Sequence, residues 1–231
     1  MEKRFSVILM GVLLAGPAAA QTELNLQASG IHSVPPDEIT ANLSVQSSAA
    51  DAASAQAKVN GAMRTALGLA KHTAGVTATT DGYSVYASTP DGSTQTVYQA
   101  SQELDLVMPA PGGVPPAAFT ALVGNLQQSG LLLNSLAGDL SAKGQALARQ
   151  AAIDDAISQI LAQEDAIATR LHEAPGVIKT LTVNINTPGP FRPGPMMMMA
   201  AKAAAPPPQA APANVPVEAD VSAVIDLRPG D

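Results

Sequence analysis

Cysteine and tryptophan are both missing from this 231-residue chain, and aromatic residues make up only 3% of it. Without cysteine there is no disulfide framework, no thiol nucleophile and no thiolate metal site. With so few large rings, the core has to be assembled from Ala, Val, Leu and Ile. Each alanine buries little area, so such a core needs long helices and many contacts. Positive charge is scarce as well: 12 Lys and Arg stand against 19 Asp and Glu, a net charge of −7. Nucleic acid and anionic membrane surfaces need clustered cations, so neither is an expected partner.

What is present first is a leader. Met1-Glu2-Lys3-Arg4 is charged, Phe5 to Leu14 is almost wholly apolar, and Ala18-Ala19-Ala20 supplies small residues before Gln21. A basic start, a short apolar run and an A-x-A site describe a secretory signal peptide, too short to be a permanent membrane span. Cleavage after Ala20 is expected to release a periplasmic or secreted protein of 211 residues with no membrane span. The leader takes two of the 12 basic and one of the 19 acidic residues with it, which moves the net charge from −7 to −8.

Residues 21–231 have the length of one good-sized domain or two small ones, and are read as one. Leu24 to Ile31 and Ile39 to Val45 alternate apolar and polar residues around Val34-Pro35-Pro36-Asp37, and predict two strands paired antiparallel. Ala52, Ala55, Val59, Met63, Ala66, Leu67 and Ala70 fall on one helical face, with Gly75 as a stop. Val76–Ser88 and Thr96–Met108 predict a hairpin turned at Pro90-Asp91-Gly92. A shorter helix is expected from about Pro115 to Ser129, then a strand over Leu131–Leu136. Ser141 is the expected N-cap of the clearest helix, whose stripe runs through Leu147, Ala151, Ile153, Ile157, Ile160, Leu161, Ile167, Ala168 and Leu171 down to Pro175. That helix is expected to supply the largest share of the core, with Ile157 and Ile160 both facing the sheet. Val177–Asn186 is a further strand.

Residues 188–216 differ in kind. They are rich in Pro and Ala, hold the tetrad Met196-Met197-Met198-Met199, and are expected to form a flexible excursion. Val217, Ala219, Val221, Ala223 and Ile225 then alternate as a last strand. The expected order is β-β-α-β-β-α-β-α-β-β, an α+β domain with helices packed on an antiparallel-rich sheet.

In that order and in several segments the chain resembles the SIMPL-domain family, whose members include periplasmic proteins of the oxidative-stress-defence (YggE-like) and periplasmic immunogenic types. Ala28-Ser29-Gly30 with Val34-Pro35-Pro36-Asp37 is similar to the family's entry to its second strand. Thr79-Thr80-Asp81-Gly82-Tyr83-Ser84-Val85 and Tyr98-Gln99-Ala100-Ser101-Gln102-Glu103-Leu104 resemble two of its strands. Arg149-Gln150-Ala151-Ala152-Ile153-Asp154-Asp155-Ala156 resembles the centre of its last helix, and Val217 to Ile225 its final strand. One departure is the apolar run Ile157–Leu171 ending at His172-Glu173-Ala174-Pro175, where the family pattern is rich in Lys and Ala. The resemblance implies an exported fold, frequent self-association, an association with stress tolerance, and no catalytic residues that can be carried over.

Candidate chemistry in the residues themselves is thin. His32, His72 and His172 lack a second ligand at metal-site spacing and are expected in solvated or capping roles. Asp154-Asp155 and Glu164-Asp165 are neighbours on a helix, about 100° apart, so they do not face one another across a substrate. Asp154 and Asp155 are expected beside the stripe in water, or paired locally with residues such as Arg149. No G-x-S-x-G elbow or P-loop is present. The expectation is therefore an exported, non-enzymatic, cofactor-free protein acting through homo-oligomers or contacts with envelope proteins. The alternative from another class is copper or small-molecule binding, or oxidant scavenging, at Met196, Met197, Met198 and Met199, whose thioethers are soft ligands and oxidisable.

Overall fold

The computed structural model describes residues 22–89, 94–186 and 213–230. Among these residues seven strands and three helices follow one another as β1 (Glu23–Val34), β2 (Glu38–Ala49), α1 (Ala52–Lys71), β3 (Thr77–Ser88), β4 (Val97–Pro109), α2 (Ala117–Gln128), β5 (Leu132–Asp139), α3 (Ala142–Leu171), β6 (Glu173–Asn186) and β7 (Val215–Pro229), with a 3-10 turn at Pro111–Gly113. The fold is α+β and every strand pairing is antiparallel.

The strands form two sheets, not one: β1-β7-β6 and β3-β4-β2-β5. The expected β1–β2 pair is corrected by this. β1 lies along β7 from Glu23↔Asp226 to Val34↔Val215, whereas β2 lies between β4 and β5. The cause is the double proline. Pro35 and Pro36 fix φ near −65° and hold the preceding residue extended, so the link stretches instead of reversing as a hairpin would. Its free main-chain groups find partners in the second sheet: Gly112 N–H donates to Pro36 O at 2.8 Å, Ala110 N–H to Asp37 O at 2.9 Å, and Asp37 N–H to Asp139 O at 3.1 Å. The β3–β4 hairpin is present as expected; its turn lies outside the described residues. Gly82, at φ +63°, sits in a bulge of β3 between Asp81 and Ser84 that only a left-handed backbone accommodates easily.

The main core lies between the four-stranded sheet and α1 with α2. Ile39, Ala41, Leu43 and Val45 of β2 alternate onto the buried face together with Ala100, Leu104 and Leu106 of β4. Ala55, Val59, Met63, Ala66 and Ala70 of α1 cover them, at spacings of three and four. Leu67, expected on that face, is more than one-third exposed. α2 adds Phe119, Leu122, Val123 and Leu126. Asp51 starts α1 by accepting the Ser54 N–H at 2.8 Å.

α3 covers the three-stranded sheet, and here the expectation about the core is corrected. Its cluster is the smaller of the two: Leu26, Ala156, Ile160, Val221, Ala223 and Ile225. The residues it buries are Ala148, Ala152, Ala156, Ile160, Glu164 and Ala168, a strict four-residue step made mostly of alanine. Ile160 is buried, but Ile157 is only half-buried and Leu147, Leu161 and Leu171 are exposed. A step of four at about 100° per residue turns the contact line by about 40° each time, which lets a long helix follow a twisted sheet. Around Ala152 and Ala156 large side chains do not fit, because the backbones are close. A Cβ on Gly30 of β1 would run into the Ala152 carbonyl and lie 2.7 Å from Ala156 N.

Candidate interaction surface

Two hydrogen bonds fix which flank of α3 faces which strand. Gln159 Nε2 donates to Ser29 O of β1 at 3.2 Å, and Gly176 N–H of β6 donates to the buried Glu164 carboxylate at 2.7 Å. Gln159 stands one residue before the spine residue Ile160, on the β1 side. The residues one position after the spine therefore face β6, and they are Ile153, Ile157 and Leu161. Three aliphatic side chains in a row on a helix flank call for a cover.

β6 pairs with β7 along one edge, and among the described residues its other edge has no partner strand. Two register shifts, at Ala174/Val177 and Ile178/Thr180, precede a regular run from Thr180↔Val224 to Asn186↔Glu218. Lys179 is the extra residue at the second shift. Its ammonium reaches Asp226 at 2.6 Å and Glu23 at 3.4 Å, and these carboxylates hold its pKa above the usual lysine value. Beyond it, Leu181, Val183 and Ile185 stand opposite Ala223, Val221 and Ala219, whose side chains are buried beneath α3. They share the α3 face, as does Ile178 opposite Ile225.

These four β6 residues and Leu161 keep between 38% and 46% of their surface exposed. A helix is about 10–12 Å across, and three strands at about 4.8 Å spacing extend further than it covers. α3 sits over β1 and β7, so β6 projects beyond it. The result is an apolar valley with α3 as one wall, β6 as its floor and an unpaired strand edge as its rim. Together these residues expose roughly 400 Å², within the range of the largest apolar patch on a typical monomer, which is often functional.

Elsewhere, polar side chains pair with one another, and the buried Arg149 Nε and Glu173 Oε2 have no hydrogen-bond partner among the described residues. On the open face of the four-stranded sheet Asn42 Nδ2 donates to Asp105 at 2.7 Å and Glu103 at 3.1 Å, and Asn134 Nδ2 donates to Asn42 Oδ1 at 2.7 Å. Among the described residues no group of three His, Cys, Asp or Glu side chains is placed to hold a metal ion. Asp154 and Asp155 accept from Gln150 and Gln159, and Arg149 donates to Gln145 in place of the expected aspartates. His72 caps α1 and His172 ends α3 at φ 57°, while His32 is exposed on β1. Met196, Met197, Met198 and Met199 lie outside the described residues, as does most of the expected excursion over 188–216; Val215 and Pro216 at its end already belong to β7.

The valley was not foreseen, although a signal for it exists in the sequence. From Leu181 the strand alternates Leu-Thr-Val-Asn-Ile with no charge at all, whereas solvent-facing edges are usually guarded by charge, proline or a bulge. No helix among the described residues is long and apolar enough to cross a membrane. No curated protein matches the chain. A family model does: the chain belongs to the SIMPL family, described as a protein of unknown function (DUF541), whose model matches residues 24–226 and so runs from the first strand to its partner, the last.

Proposed function

We propose that this is an exported, non-enzymatic SIMPL-domain protein that works by association, with copies of itself and with other envelope proteins, in a role tied to stress tolerance. The observation that carries the reading is the α3–β6 valley beside a strand edge, neither of which has a cover among the described residues. An aliphatic surface of that kind gains free energy when another chain removes it from water, at roughly 25 cal/mol per Å². The leader over residues 1–20 supports export, with the protein periplasmic or secreted. The family's membership supports the SIMPL domain; the stress role comes from the resemblance to oxidative-stress-defence members.

Light scattering on the purified protein from micromolar to millimolar concentration tests the reading. A mass that rises to a defined multiple of the chain is expected. A strict monomer across that range would overturn the self-association half of it.

A further inference from the structure

We infer that the occupant of the β6 edge is the β6 edge of a second copy, paired antiparallel about a two-fold axis at Val183. The inference rests on the association reading and specifies its surface. A free strand edge presents a row of unpaired N–H and C=O groups, and another strand satisfies them directly. The run from Thr180 to Asn186 is regular, free of bulges and uncharged. A strand carrying charge would meet the same charge on a second copy, and this one meets none.

The pattern is also self-complementary, as a two-fold interface requires. Antiparallel pairing centred on Val183 sets Val183 opposite itself, Leu181 opposite Ile185, and Thr182 opposite Asn184. Aliphatic side chains then meet aliphatic ones on the α3 face, and hydroxyl meets amide on the other. A register shifted by one residue would place Leu181 or Val183 against Thr or Asn and lose that match. The seam makes one sheet of six strands, β1-β7-β6-β6-β7-β1, with both α3 helices on the same side. The seam pairs the main-chain groups of both edges and covers the flanks of Leu181, Val183 and Ile185 that face the partner strand.

The chain has no cysteine, so disulfide trapping reports cleanly. Facing Cα atoms in an antiparallel pair are about 4.5–5.5 Å apart, within reach of a disulfide. Val183→Cys in the full chain is expected to give a covalent dimer under mild oxidation, and a mixture of Leu181→Cys with Ile185→Cys a mixed one. Leu147→Cys, more exposed at 64% but on the β1 flank of α3, is the control and is expected to cross-link at least tenfold more slowly. Val183→Lys is expected to make the protein monomeric, with the melting temperature that the unchanged protein shows when diluted to monomer. Assembly that survives Val183→Lys and gives no Val183→Cys dimer would overturn this seam while leaving the association reading intact. A strict monomer in light scattering would overturn the seam together with the self-association half of that reading. If the full chain is monomeric and replacing residues 187–212 by a short Gly-Ser linker releases the Val183→Cys dimer, that segment is the occupant and a second copy is not. Equal cross-linking of Leu147→Cys would reduce the trapped dimer to random collision and also overturn the seam.

Discussion

Asp37 and Ser141, 104 residues apart, are joined by two hydrogen bonds: the Ser141 N–H donates to Asp37 Oδ1 at 2.6 Å and its hydroxyl donates to Oδ2 at 2.7 Å. Ser141 Oγ in turn accepts the Gly144 N–H at 3.1 Å, so the carboxylate stands behind the cap of α3. The link ties the crossover between the two sheets to the start of the helix that forms the valley wall. A Cβ on Gly144 would lie 2.8 Å from Asp37 Oδ2, so any other residue there would push the carboxylate off the cap.

The pH dependence of stability follows from this turn. Burial disfavours the charge on Asp37, but the hydrogen bonds from Ser141 outweigh it and hold the carboxyl below its usual value. A lowered folded pKa contributes stability that is full above the unfolded value, near 3.9, and is lost as pH falls through the folded one. Glu38 beside it behaves oppositely: burial, with Asp139 and Asp37 nearby, raises its pKa. Its contribution is full below the unfolded value and is lost as pH rises through the folded one. Asp37→Asn is therefore expected to lower the melting temperature at pH 7 and to flatten the loss below pH 4. Glu38→Gln is expected to raise it at pH 7 and leave it unchanged at pH 3. Thermal melts across that range, followed by circular dichroism, check both signs.

Glycines at two kinds of position should respond in opposite directions to alanine. Gly30→Ala forces a methyl into the Ala152 carbonyl, so it is expected to cost about 3 kcal/mol or more, at or above the upper end for overpacking. Gly68, inside α1, has room for a methyl group, with nothing within 4 Å of where its Cβ would stand. Gly68→Ala is expected to add about 0.5–1 kcal/mol through helix propensity. Urea unfolding gives both numbers.

The ranking of core residues separates the two helices. Phe119 and Leu104 are fully buried in the larger cluster and Ile160 in the smaller, while Ile157 is half-buried on the valley side. Truncation to alanine is expected to cost about 3–5 kcal/mol at Phe119 and about 2–5 at Leu104 and Ile160. Ile157→Ala is expected to cost clearly less in the monomer, where part of its surface is already wet. If Ile157→Ala proved the most damaging of the four, the burial order would be wrong.

Glu164 anchors the start of β6 against α3. It is a nearly fully buried carboxylate whose partner is a main-chain N–H, that of Gly176. Glu164→Ala leaves that donor unmatched and is expected to cost about 1–3 kcal/mol, whereas Glu164→Gln keeps an acceptor and should cost less. Amide exchange at Gly176 is expected to accelerate in the alanine variant first.

Much of the fold was legible because its strands alternate and its longest helix starts at an identifiable cap. Ser141 caps α3, and the α+β class follows from the change of period between 2 and 3.6 along the chain. Strand pairing was not legible at Pro35-Pro36, because local pattern cannot say whether a proline link reverses the chain or carries it to a second sheet. The core share of α3 was overestimated for a related reason. Its aliphatic residues do repeat at helical spacing, but the alanine spine and Gly30 set the contact line, and Ile153, Ile157 and Leu161 fall beside it. Periodicity marks an apolar face; it does not say whether the cover comes from the same chain. The valley is the place where those two readings part.

Concentration-dependent amide exchange across β6 tests the central claim most directly. Free edge amides exchange with water, and those paired to a second strand do not. Between Thr180 and Ile185 the amides that point away from β7 are expected to slow at least tenfold as concentration rises and the mass grows, while those of α2 keep their rates. Growth in mass with unchanged exchange over Thr180–Ile185 would contradict assembly through this edge.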